Sequence, residues 1–145
     1  MENNFKKVHA PVDLVISSVI LLVGIGLFFV NQWGGIVVAL CGVSSFLIYK
    51  SGWRREGDST LLRHRSVEMS RNCKTSLVAF LKGENKDLNI RYGNEGGTLL
   101  LEVWYTADQS KSYVQLSEFL DLRFQKTTEI IELNNTATHN LLSKL

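Results

Sequence analysis

Two apolar runs, separated only by the uncharged link Asn31-Gln32-Trp33-Gly34-Gly35, fill residues 11–49 and set what the rest of the chain can do. Residues 14–30 carry no charge over 17 positions. At about 1.5 Å per residue they cover roughly 25 Å of a bilayer core of about 30 Å. Pro11 and Val12 extend the run to a full span. The pattern predicts a transmembrane hairpin with spans at about 11–30 and 33–49. With some 40 of the 145 residues committed there, the remainder suffices for one modest soluble domain.

The two spans differ in composition. The first holds 13 strongly apolar residues between Leu14 and Val30 and should insert unaided. The second, from Trp33 to Tyr49, holds eight, diluted by Gly34, Gly35, Gly42, Ser44 and Ser45. At about 100° per residue Gly35, Ala39 and Gly42 fall on one narrow arc, a face that another helix can approach closely. Its occupant is either the first span, through Ser17 and Gly24, or a second copy or protein partner in the membrane.

Lys6 and Lys7 flank one end of the hairpin, Lys50, Arg54 and Arg55 flank the other, and the link has no charge. The positive-inside rule then puts both termini in the cytoplasm of a two-pass inner-membrane protein. Trp33 suits the outer interface, and Tyr49, Lys50, Trp53, Arg54 and Arg55 the inner one. Asp13 is expected at the cytoplasmic edge, reaching water or Lys6 and Lys7. The lysines followed by an apolar run resemble the start of a signal peptide, but no clean small-x-small site follows, so the helices are read as retained.

The organisation read from the chain is a cytoplasmic N-terminal segment over 1–10, the hairpin over 11–49, a basic juxtamembrane linker over 50–59 and a cytoplasmic α+β domain over 60–145. In that domain residues 61–69 lean to a strand, and Leu77 to Lys82, ending at Gly83, to a short helix or a strand. Residues 88–92, 93–97 and 98–106 read as strand, glycine-rich turn and strand, with Leu99, Leu101, Val103 and Tyr105 on the core face. A further strand over 113–120 and a β-prone run over 127–133 continue a meander. Asn134-Asn135-Thr136 then caps a terminal helix that carries Ala137, Leu141, Leu142 and Leu145 on its apolar side. The fold class is α+β: a two-helix transmembrane hairpin, then a small, mostly antiparallel sheet with a C-terminal helix.

Little in the chain points to catalysis. His9, His64 and His139 have no second ligand at metal spacing, and Cys41 and Cys73 form no C-x-x-C pair, so neither metal nor cofactor is expected and both thiols are read as free. Neither a G-x-S-x-G elbow nor a phosphate-binding loop is present. Glu118 with Asp121, and Glu129 with Glu132, are neighbours in sequence only. A net charge of +2 is too small to suggest a nucleic-acid binder by itself, and no nucleic-acid partner is expected.

The layout, a short helical hairpin, a small sheet domain and a C-terminal helix, resembles that of bacterial membrane proteins carrying pleckstrin-homology-like domains. The resemblance is one of architecture and implies no site residue. The expected function is a non-enzymatic accessory or scaffold subunit, with the lipid bilayer and a protein partner or homo-oligomer as its contacts. The alternatives are a ligand-gated membrane-disrupting defence effector, motivated by the Gly35–Ala39–Gly42 face, and an immunity protein against a membrane-targeting toxin.

Overall fold

A computed structural model describes residues 5–84, 88 and 98–145. The expected strand at 88–92 and turn at 93–97 lie, Leu88 apart, outside them. The chain divides after Leu61 into two compact units, and the fold is α+β.

In the first unit a strand β1 (Phe5–Val8) leads into helix α1 (Pro11–Phe28), a tight link, helix α2 (Gln32–Ile48) and strand β2 (Gly52–Arg55). Local chemistry places each helix boundary. Pro11 takes the first helical position, where its missing N–H costs nothing, and Asp13 at the third accepts a hydrogen bond from the Ala10 amide at 2.8 Å. Asn31 caps α2 by accepting from Gly34 N–H at 3.2 Å. The helices are antiparallel neighbours, and β1 pairs antiparallel with β2 in the register Phe5↔Arg55 to Val8↔Gly52. The stretch read from sequence as a juxtamembrane linker therefore contains a strand. Its partner is the N-terminal segment, 44 or more residues away in the chain, which local patterning cannot reveal.

The second unit contains β3 (Leu62–Met69), a single 3-10 turn (Arg71–Cys73), α3 (Lys74–Leu81), β4 (Leu99–Thr106), β5 (Lys111–Leu120), β6 (Arg123–Lys126), β7 (Ile131–Asn134) and α4 (Asn135–Lys144). β3, β4 and β5 form an antiparallel meander, and the outer edge of β5 is shared by two strands. β6 pairs with Ser117 to Leu120, and β7 with Lys111 to Val114.

Between those strands the chain leaves the ladder at the β-prone run. Thr127 N–H donates to Leu116 O at 2.8 Å, and Thr128 Oγ1 accepts from Leu116 N–H at 3.0 Å. A threonine hydroxyl thus takes the place of a missing ladder carbonyl, so the buried β5 backbone remains satisfied where its neighbour breaks.

Period-two alternation puts Leu99, Leu101 and Val103 of β4 beside Val114 and Leu116 of β5 in one core, closed by Leu77, Phe80 and Leu81 of α3 and Leu141 of α4. Tyr105 packs against this core, half-buried. The opposite face is also covered: Trp104 and its cross-strand partner Tyr113 are buried. Asn134 caps α4 by accepting from Ala137 N–H at 3.1 Å.

Candidate functional site

The helical hairpin presents small residues inward and large apolar ones outward. A Cβ on Gly24 would run into the Ala39 backbone, one on Gly35 into the Phe28 backbone, and one on Gly42 would lie 2.8 Å from the Leu21 amide nitrogen. The Gly35–Ala39–Gly42 face is thus filled by α1, with Ser17 also buried in the first helix. The absence of side chains there lets the two backbones touch. A shallow apolar cavity of about 180 Å³ lies along the seam between Gly24, Phe28, Gly35 and Ala39.

Outside the seam, 21 of the 24 exposed large hydrophobic side chains among the described residues fall between Val12 and Tyr49. That far exceeds the scattered apolar exposure normal for a water-facing surface. By length and composition α1 is apolar enough to cross a membrane, whereas α2, at 17 residues, is shorter.

The open end of the hairpin is closed by Asp13. Its carboxylate, on a residue only 2% exposed, accepts from Ala10 N–H at 2.8 Å, Ser51 N–H at 2.9 Å and Ser51 Oγ–H at 2.6 Å. Beside it the His9 ring stacks on Phe46 of α2 at 4.9 Å between centroids. Asp13 therefore reaches neither Lys6 nor Lys7, the partners expected from sequence. Lys6 pairs with Glu56 at 2.8 Å, and Lys7 lies over the Trp53 ring at 5.5 Å. Each member of the Lys6–Glu56 pair stabilises the charged form of the other, raising the lysine pKa and lowering that of the glutamate.

The residues expected at a membrane interface divide between elements. Trp33 stands exposed in the first turn of α2, and Tyr49 and Lys50 are exposed just beyond its end. Trp53, Arg54 and Arg55 belong to β2, where Trp53 and Arg55 are half-buried and Arg54 is exposed. Lys6, Arg54, Arg55, Glu56 and Asp58 line an open cleft of about 460 Å³ at the far end of the β1–β2 ribbon. Its acids and bases are mixed, so it has no single sign of charge to select a ligand.

In the second unit, the most developed polar constellation centres on Glu118, which sequence proximity had set beside Asp121. The carboxylate is buried; it accepts instead a hydrogen bond from Lys74 Nζ at the start of α3 and forms an ion pair with Arg71, Nε at 2.8 Å. The Lys74 hydrogen bond holds the Glu118 carboxyl below its ordinary range, against the opposing effect of burial, and the Arg71 charge assists. Ser112 and Thr138 share a buried hydroxyl–hydroxyl bond of 2.8 Å between β5 and α4. Cys41 is exposed on α2, and Cys73 is buried. Among the described residues no group of three or more His, Cys, Asp or Glu side chains could hold a metal ion.

The Asp13 capping box had a local signal, proline followed two residues later by an acid. Ser51 had none, because its role depends on the return of the chain after α2. Comparison with protein-family models, curated proteins and solved structures returns no match to the chain.

Proposed function

We propose that the chain is a two-pass inner-membrane protein, both termini cytoplasmic, whose α+β unit is a non-enzymatic binding module serving as an accessory or scaffold subunit of a membrane-associated complex. The observation that carries this reading is the sidedness of the hairpin: glycines and Ser17 line the seam and Asp13 closes the base, while most outward side chains are large and apolar. Such a surface is at home in lipid and costly in water. The shorter α2 inserts as one half of a packed pair, its glycine face already covered by α1. That packing leaves the membrane-disrupting effector without the free face that motivated it.

Two measurements test the reading. The full chain should stay in the membrane fraction through alkaline carbonate, and Cys41 should react with a water-soluble maleimide only after the bilayer is dissolved. A chain released by carbonate, with Cys41 labelled in intact membranes, overturns the anchor. For the binding module, crosslinking in intact cells followed by mild-detergent purification should return the same membrane-associated protein from replicate preparations. Recovery of the chain alone argues against a scaffold.

A further inference from the structure

Among the described residues, the three exposed large hydrophobics outside the hairpin are Phe119, Leu120 and Leu122, all at one place, the β5–β6 turn. Leu120 pairs with Arg123, so the loop is the two residues Asp121 and Leu122, with φ of 51° and 63°. A turn with positive φ at both central positions is the one that glycine, asparagine and aspartate favour. Asp121 suits it. Leu122 does not, because its Cβ is strained at that φ and its side chain is 92% exposed. Neither local backbone preference nor burial within the unit accounts for a leucine there.

The rest of the tip is apolar on both sides of the ribbon. Phe119 and Phe124 pair edge-on at 5.2 Å, and Leu120 projects from the other face of the strand. Behind them the charge is basic in excess: Arg123, Lys126, Arg71 and Lys74 against Asp121 and Glu118. An apolar wedge backed by basic side chains matches a bilayer surface rich in anionic lipid, with hydrocarbon for the wedge and negative headgroups for the rim.

We infer that the Phe119–Phe124 hairpin tip is a second membrane contact, inserting Leu122 and its neighbours into the surface of an anionic bilayer. The inference rests on the membrane reading above only for proximity, since a tethered tip meets lipid at high effective concentration. The strained leucine then exchanges folding stability for lipid contact.

The test uses the full chain with Cys41 and Cys73 replaced by alanine and an environment-sensitive fluorophore on Leu122→Cys, in phosphatidylcholine vesicles with and without phosphatidylglycerol. Expected are a blue-shifted emission and quenching by doxyl-labelled lipid that both depend on phosphatidylglycerol. Water-like emission in both vesicle types overturns the proposal, and a tip that instead takes a protein partner would give that result. Carbonate extraction of the same samples reports the anchor separately, so failure of the hairpin and failure of the tip are distinguishable. Unlabelled Leu122→Asn guards against misfolding: it should melt higher than the parent chain, because asparagine suits the turn, and should reduce phosphatidylglycerol-dependent protection of the tip from protease. A lower melting point with unchanged protection also overturns the proposal.

Discussion

Ser51 donates both its backbone N–H and its hydroxyl to the carboxylate of Asp13, joining positions 38 residues apart at the open end of the helical hairpin. The same carboxylate accepts from Ala10, so one side chain caps α1 and fixes where the chain leaves α2. Truncating the two partners should therefore have unequal effects. Ser51→Ala removes one hydrogen bond and leaves the backbone bond in place, at a cost of about 1 kcal/mol. Asp13→Ala strips acceptors from two backbone N–H groups and a hydroxyl, and should lower the melting temperature of the full chain in detergent well beyond that. The double variant should melt close to Asp13→Ala alone, because the serine hydroxyl has nothing left to lose.

Glycines in the hairpin separate into those that touch the other helix and those that do not. Gly35→Ala and Gly42→Ala force a Cβ against the α1 backbone and should destabilise by about 1–3 kcal/mol through overpacking. Gly26 has nothing within 4 Å of an added Cβ, so Gly26→Ala should be neutral or stabilise by up to about 1 kcal/mol through helix propensity. Thermal melts of the three variants in one detergent decide the matter, and equal losses at all three positions would contradict the seam.

The buried Ser112–Thr138 pair holds α4 to β5. Thr138→Val keeps the shape and leaves the serine hydroxyl unsatisfied, costing about 1–3 kcal/mol. Adding Ser112→Ala removes the orphaned group, so the double variant should recover part of the loss. A urea-denaturation double-mutant cycle measures the coupling; strictly additive losses would show that the hydroxyls do not depend on one another.

Glu118 makes the second unit acid-sensitive. Its folded pKa is depressed, chiefly by the Lys74 hydrogen bond, so its contribution is present above the ordinary value of 4.5 and disappears as pH falls through the lower folded value. Glu118→Gln should lower stability at neutral pH. It should also flatten the acid limb by up to about one proton in linkage slope. Denaturation midpoints from neutral pH down through the acid range test this, and an unchanged slope would remove Glu118 from the acid response.

Much of this architecture could be read residue by residue. The apolar runs, the strand at β4 with Leu99, Leu101 and Val103 inward and the asparagine-capped α4 all follow from periodicity and capping within a dozen residues, while the stretch at α3 read equally as helix or strand and its packing against the sheet decided for a helix. The β-prone run after β6 was legible as extended chain, but not as a break in the ladder. Thr127 and Thr128 acquire that role only because Leu116 lies opposite. Trp104 and Tyr113 are buried cross-strand neighbours, a pairing that the β4–β5 register sets.

By itself, then, the sequence determined where the two apolar helices, β4 and α4 form and which side of β4 and α4 is apolar, since those depend on spacing and on the conformational limits of proline, glycine and asparagine, whereas β1 and β2 exist only through their pairing. The tertiary structure alone decided who meets whom. It set Ser51 on Asp13 rather than lysine on Asp13, Lys74 and Arg71 on Glu118, and α1 on the glycine face of α2. Those partnerships link distant parts of the chain, and a buried charge or a close backbone contact takes whichever partner the fold delivers.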